Sequence, residues 1–319
     1  MKHSITSAMI ALTFVAASTL SSAQDKLTKF ILPVAAGSGV DTIMRASSKS
    51  LSAALASTVV IENQPGAGGI VGTAAMVKSA PDGATLSVVS NNHVIYPSVY
   101  KSLPFDPIND ITPIAVIGTT PMVLVVNPKL AANNSQELIA LIRARPDGIN
   151  YASSGNGTIL HLAAEMFLDE AGVKAKHIPY KGVGPMVTDL LGGQVDFGVL
   201  ALPSIQAHLK SGALRAIGTS STARLAAAPT IATFAEQGLP NYIVDGWFAV
   251  IGPKNLPAAE VKRIHAAFSA AFTSAEVKET MGKQGNTIAI STPEFAASFF
   301  RSEVEKYAKL VKKAGVKLD

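Results

Sequence analysis

The chain has 319 residues, a net charge of +5, 15% charged residues and no cysteine. The missing thiols exclude a disulfide framework, a cysteine nucleophile and a lipid-anchored cysteine, and the positive charge is spread without a basic run, so nucleic acid is not indicated as a partner. Length beyond a single comfortable core favours two lobes over one.

Lys2 and His3 precede an apolar run from Ala8 to Ala17, and Ser21-Ser22-Ala23 offers small residues at a cleavage position. That pattern predicts a secretory signal peptide over residues 1–23 and a mature start near Gln24. No later segment approaches eighteen unbroken apolar residues, so a soluble periplasmic protein is expected.

From Lys29 onward, short apolar runs alternate with helical stretches. Phe30–Val34 reads as a strand, Val40–Ala56 as a helix and Thr58–Glu62 as a strand, a βαβ unit. Helix Ile70–Ser79 and strand Thr85–Ser90 follow, joined by the turn Pro81-Asp82-Gly83. A parallel sheet with covering helices results. Met122–Asn127 is a long apolar strand between prolines, after which Ser135 caps a helix that Pro146 stops. A second α/β unit starts at strand Ile149–Ser153. It continues as helices Leu160–Glu170, Met186–Leu191 and Pro203–Lys210, with strands Gln194–Ala201 and Leu214–Thr219. Strand Trp247–Ile251 precedes two amphipathic helices. Val261, Ile264, Phe268 and Phe272 stripe one; the other begins at Thr292-Pro293-Glu294 and carries Phe300, Val304, Tyr307 and Val311 on one side. Both need a sheet to cover, and the first sheet is the expected one. The expected division is therefore 24–123 with 245–319 as lobe one and 124–244 as lobe two, joined by crossings near 120–126 and 243–250.

Two loops carry the functional reading. Tyr151 to Ile159 is a strand end, a small-residue loop and a helix start. Its unpaired N–H groups and the partial positive charge of the helix terminus suit an anion, with Ser153, Ser154, Asn156, Gly157 and Thr158 as candidate ligand residues. Pro33 to Asp41 repeats this logic in the first lobe and nominates Val34, Ala36, Gly37, Ser38 and Asp41. Asp41 and Arg45 lie four apart on one helix, which favours a structural ion pair over recognition of an amine. Asn92 and His93, at the end of a strand, are expected to face the cleft. Two anion loops on opposite lobes point to a ligand with two carboxylates.

Other motifs fail. Gly66-Ala67-Gly68-Gly69 follows a strand and precedes a helix, but the glycine spacing is wrong for a dinucleotide, leaving a structural turn. Neither G-x-S-x-G nor H-E-x-x-H occurs. His161 and Glu165 alone make no metal site, and His161 is expected to donate to backbone. No cofactor, no metal and no catalysis are expected; the rival readings are a ligand sensor for a signalling partner and a secreted α/β hydrolase, the latter requiring a nucleophile–histidine pair across the cleft. Trp247 is expected in the core at the lobe junction.

Taken jointly, Pro33 to Arg45, Glu62 to Gly69, Pro81-Asp82-Gly83, Leu103-Pro104-Phe105-Asp106, Tyr151 to Glu165, Pro179-Tyr180-Lys181-Gly182 and Gly192-Gly193-Gln194-Val195-Asp196 resemble the Bug family. These are the TctC-like extracytoplasmic solute receptors of tripartite tricarboxylate transport systems. The resemblance spans essentially the whole chain after the leader. It implies an α/β, two-lobed periplasmic binding protein of the type II, Venus-flytrap kind, each lobe a mainly parallel sheet covered by helices. It also implies a monomer that holds a small carboxylate, aliphatic or aromatic, by backbone amides, small hydroxyls and waters, and presents it to membrane permease subunits. Its ligand loops correspond to Val34–Asp41 and Ser153–Thr158. The family often has an aromatic or proline near Val34-Ala35 and glycine at Ser38, so smaller side chains here leave room for a longer ligand.

Overall fold

The computed structural model describes residues 26–145 and 147–316. The expectations placed on the leader, on Pro146 and on the last three residues lie outside them.

The first half opens with strand β1 (Leu27–Leu32), helix α1 (Gly39–Leu55), strand β2 (Thr58–Asn63), helix α2 (Ile70–Val77), strand β3 (Thr85–Ser90) and helix α3 (Asn92–Val99). Strands β1, β2 and β3 are parallel, with β1 central. The chain then runs through one long strand, β4 (Ile111–Val126). The second half repeats the plan with helix α4 (Ser135–Ala144), strand β5 (Asn150–Ser153), helix α5 (Ile159–Ala171), strand β6 (Lys176–Pro179), helix α6 (Val183–Gly192), strand β7 (Phe197–Ala201), helix α7 (Leu202–Lys210) and strand β8 (Arg215–Thr219). Strands β5, β6 and β7 are again parallel with β5 central. The chain returns through β9 (Asp245–Pro253) and closes with α8 (Ala258–Thr273), α9 (Ala275–Lys283), β10 (Thr287–Ile288) and α10 (Pro293–Ala314).

The two halves meet along β4. Its first part, Ile111–Pro121, pairs antiparallel with β9, and β9 pairs with β3; its second part, Met122–Val126, pairs antiparallel with β7 and β8. Each half-sheet is thus a parallel trio beside antiparallel crossing strands, in the same order on both sides. Mixed sheets rather than nearly all-parallel ones follow from this passage, because the polypeptide must traverse β4 in one direction and β9 in the other.

Sequence periodicity placed most elements within a few residues, with instructive exceptions. The strand expected at Met122–Asn127 is the tail of the sixteen-residue β4. Pro113 and Pro121 sit inside it, tolerated because Pro113 adjoins an irregularity in the pairing with β9 and Pro121 marks the change of sheet. Asn134, rather than Ser135, caps α4, its side chain accepting from Glu137 N–H. Helices α3 and α9 and the short strands β6 and β10 have no counterpart in the expected elements; α3 buries six of its eight residues and therefore shows no polar stripe.

Helix α8 packs Ile264, Phe268 and Phe272 into the core of the first half with Phe30, Met44 and Leu86. Helix α10 covers the opposite face against α3 and β4 and also reaches α5 of the second half, so it covers more than the first sheet alone. Trp247 is buried there, donating through Nε1 to Glu303 at 2.8 Å, while Asn91 accepts from Trp247 N–H and bonds the Tyr307 hydroxyl. These polar bonds tie α10 to the junction of the two crossing strands.

Candidate functional site

The loops at the carboxyl ends of β1, β2, β5 and β6 and the start of α3 converge on one hollow between the halves, with a volume of about 980 Å³. Carboxyl ends of parallel strands are where α/β sheets expose loop amides and helix N-termini. Val34, Ser38, Asn92, Ser154, Asn156 and Thr158 line it, whereas Ala36, Gly37, Asp41, His93, Ser153 and Gly157 do not.

All but the exposed Ala36 are turned to other partners. In the first loop the Asp41 carboxylate turns inward and accepts from Gly37 N–H at 2.9 Å, from Asn63 Nδ2 at 3.0 Å and from Arg45 Nε at 3.0 Å. Burial alone raises its pKa, but these bonds outweigh it and hold the carboxyl below its ordinary value. The amide of Gly37 is therefore spent on Asp41, and the reading of Asp41 as an amine receptor loses its geometry. His93 does not face the cleft: it is buried against Tyr96, Phe105 and Phe300, with Nε2 at 2.7 Å from Pro107 O. Desolvation drives its pKa down to about 4.

The second loop is supported from behind. Gly157 N–H donates to His161 Nδ1 at 3.1 Å, so the ring accepts from backbone rather than donating as expected, and its proton sits on Nε2. His161 stacks on His177 at 3.9 Å, and Tyr151 stacks on His177 at 4.8 Å while its hydroxyl donates to Glu165. Burial, then the neighbouring imidazole, lowers His161 to about 3; burial lowers His177 to about 4. Ser153 Oγ lies 2.7 Å from His177 Nε2, a serine–histidine pair, but Ser153 is fully buried, the pair sits within one half, and neither residue lines the cavity. It braces the loop, since Ser153 Oγ also accepts from Gly155 N–H.

The Thr158 hydroxyl caps α5, accepting from His161 N–H and donating to Gly155 O, so its part is structural as well as lining. What remains open to the cavity is more selective. Among the described residues, the N–H groups of Ser154 and Asn156 and the Asn156 side-chain amide meet no protein partner. Across the hollow the Ala35 N–H is likewise open, and the Ser38 hydroxyl, an acceptor for Asp41 N–H, keeps its own hydrogen. Lys181 is the one formally charged residue among the described lining residues, and no carboxylate is among them. Neutral donors, a helix start and a single cation suit an anion.

Sequence reasoning missed three stretches of the wall: Pro65–Gly69, Tyr100, and Pro179–Val183. The glycine turn reaches the site because Gly68, at φ +68°, lets the backbone pass close to Tyr100 and to Asn156 of the other half. Two contacts fasten the halves together around the cavity. Asn92 Oδ1 accepts from Ile159 N–H at 2.8 Å while Asn92 Nδ2 donates to Gly68 O at 3.0 Å. On the other rim Gly182 abuts Ala35 so closely that a Cβ built on it would lie 2.6 Å from Ala35 Cβ.

A clamshell of two α/β lobes with a ligand cavity between them defines a periplasmic solute-binding protein. Residues 43–316 match the model of the tripartite tricarboxylate transporter family receptor, and the chain belongs to that family. It is 36% identical to protein BugT of Bordetella pertussis over 91% of this chain and 90% of the relative. The solved periplasmic binding protein BugD superposes with a TM-score of 0.88 at 30% identity, covering 91% of this chain and 98% of its own. R. palustris Rpa4515 with adipate gives a TM-score of 0.88 at 28% identity, over 92% and 98% of the two chains. The family is one of receptors, and BugD is a binding protein.

Proposed function

We propose that the protein captures a small dicarboxylate between its lobes and presents it to the membrane permease subunits of a tripartite tricarboxylate-type transporter. The observation that carries this reading is the cavity wall itself: among the described lining residues, donors without a protein partner from both halves, one lysine and no acid. One carboxylate sits at the start of α5 on the amides of Ser154 and Asn156 with the Asn156 side chain. The other is met from the first lobe by Ser38 and the Ala35 amide. The family membership supports the transport role, and a neighbour solved with adipate supports an aliphatic diacid. Lobe one is 24–123 with 245–319 and lobe two is 124–244, hinged where β4 changes sheets and where the chain enters β9. Export with cleavage after residue 23 places a monomer in the periplasm.

Calorimetry with adipate and with hexanoate, equal in chain length, tests the two-anchor reading. Charge-assisted bonds contribute roughly 1.5 to 3 kcal/mol each, so the diacid should bind tighter by tenfold or more. Equal affinities for the two acids would sink it.

A further inference from the structure

The cavity wall holds a hydroxyl that the two loops do not account for. Tyr100 ends α3, where its N–H returns to Tyr96 O and its ring meets that of Tyr96 edge-on at 6.3 Å. It partitions two hollows: the interlobe cavity on one side, and on the other a recess bordered by Leu103, Phe105 and Arg301. Its hydroxyl end is turned to the interlobe side, because a Cβ built on Gly68, which borders only that cavity, would lie 3.3 Å from the Tyr100 oxygen. The same point is 3.7 Å from Thr158 Cγ2 and 3.8 Å from Asn156 O, so the phenol approaches the second-lobe anion loop across a gap kept open by a glycine. Tyr96, Tyr151, Tyr180 and Tyr307 have a protein partner for their hydroxyls; those of Tyr100 and Tyr242 have none among the described residues, and of these two only Tyr100 lines the cavity. Burial raises the Tyr100 pKa, so the group stays protonated and available as a donor.

We propose that Tyr100 is a specificity-determining ligand residue of the first lobe, donating from its hydroxyl to the ligand carboxylate held by the Ser154–Thr158 loop. The inference rests on the dicarboxylate-capture reading and deepens it: one carboxylate is gripped from both lobes at once. Closure is then linked to the presence of an acceptor at that spot, and a ligand end that cannot accept leaves the phenol unpaired. Gly68 belongs to the same device, because any side chain there would stand between the phenol and the loop.

Tyr100→Phe removes the oxygen and keeps the ring on Tyr96. Calorimetric titration of the wild type and this variant with succinate, adipate and suberate reads the effect. The variant should bind the wild type's best diacid about tenfold or more weakly, with an unchanged thermal midpoint in the absence of ligand. Equal affinity overturns the role of Tyr100 and leaves the capture reading standing. A lowered ligand-free midpoint also overturns it, since it assigns the hydroxyl to folding. A wild type that binds none of the three diacids overturns the capture reading and this inference together.

Discussion

The two helix-start loops share one local code, a strand end, small residues and a hydroxyl cap, yet they spend their donors differently. In the first, Ser38 caps α1 and Asp41 draws in the Gly37 amide, Asn63 and Arg45, a network whose members do not line the cavity. In the second, Thr158 caps α5, no acid is present, and an uncharged imidazole takes only the Gly157 amide. A carboxylate with two oxygens takes several donors at once, whereas a neutral imidazole nitrogen with one lone pair takes one and leaves the others free. The second loop is therefore the one that keeps donors open toward the cavity. The first is a rigid wall whose contribution comes from Ser38, the Ala35 amide and the residues beside it.

The strongest way to break that comparison is to stop the two walls from meeting. Gly182→Ala places a Cβ 2.6 Å from Ala35 Cβ at a backbone φ of +114°. Overpacking at a closed interface costs about 1 to 3 kcal/mol, so diacid affinity should fall by about tenfold to a hundredfold. Scattering should show a liganded form more open than the wild type's. Adding Ala35→Gly removes the colliding atom and should restore most of the affinity; a double variant as weak as the single one would place the loss in backbone strain instead.

Next in size is the first loop's own network. Asp41→Ala removes the acceptor of the Gly37 amide and the Arg45 guanidinium and leaves the Asn63 side chain with Val34 O alone, and should lower stability by about 1 to 2 kcal/mol at neutral pH. The sign with pH follows from the depressed carboxyl pKa. Its stabilisation is present above the ordinary value of 3.8 and is lost as pH falls through the folded value, so wild type and variant should converge in acid. Ligand affinity should change far less than stability, because Asp41 does not line the cavity. A selective loss of affinity with normal stability would return Asp41 to the binding site.

Asn156→Ala should do the reverse, weakening diacid binding by about 1 to 2 kcal/mol with little effect on the unfolding midpoint, since its exposed side chain has no partner among the described residues. An unchanged dissociation constant would take this side chain out of the proposed carboxylate site.

The contrast between the loops also explains how much the sequence disclosed. Strand, loop and helix were legible because apolar runs and helical stripes alternate, and the loops after β1 and β5 were legible because small residues precede a cap. The fate of each donor was not. Whether the Gly37 or Gly157 amide serves a ligand depends on a side chain four residues on, Asp41 or His161, whose rotamer only packing decides. His93 looked accessible at a strand end, but α3 begins at once and turns it into the aromatic cluster under α10. Tyr100 and Gly68 were unreadable singly, since their role exists only where α3 and the glycine turn approach each other. A signal for Gly66–Gly69 and Tyr180–Gly182 did exist: both follow a parallel strand, and loops at that end of each sheet border the same crevice.

The smallest effect tests the imidazole behind the second loop. His161→Asn keeps an acceptor oxygen near the place of Nδ1, whereas His161→Leu leaves the Gly157 N–H unpaired. The leucine variant should lose about 1 kcal/mol of diacid binding and the asparagine variant less, because only the former frees the loop. The two also differ from the wild type in their response to pH. His161 titrates near 6.5 when unfolded but is held at about 3 in the folded chain, first by burial and then by His177. The unfolded state therefore takes up the proton first, and stability falls as pH drops below about 6.5, by up to about 1.4 kcal/mol per unit for this one group. Removing the imidazole should make the decline between pH 6.5 and pH 4 shallower, with what remains belonging in part to His93 and His177, both held at about 4. A decline as steep in His161→Asn as in the wild type would show that the ring is not held neutral, and the second loop would then rest on a charge after all, as the first does.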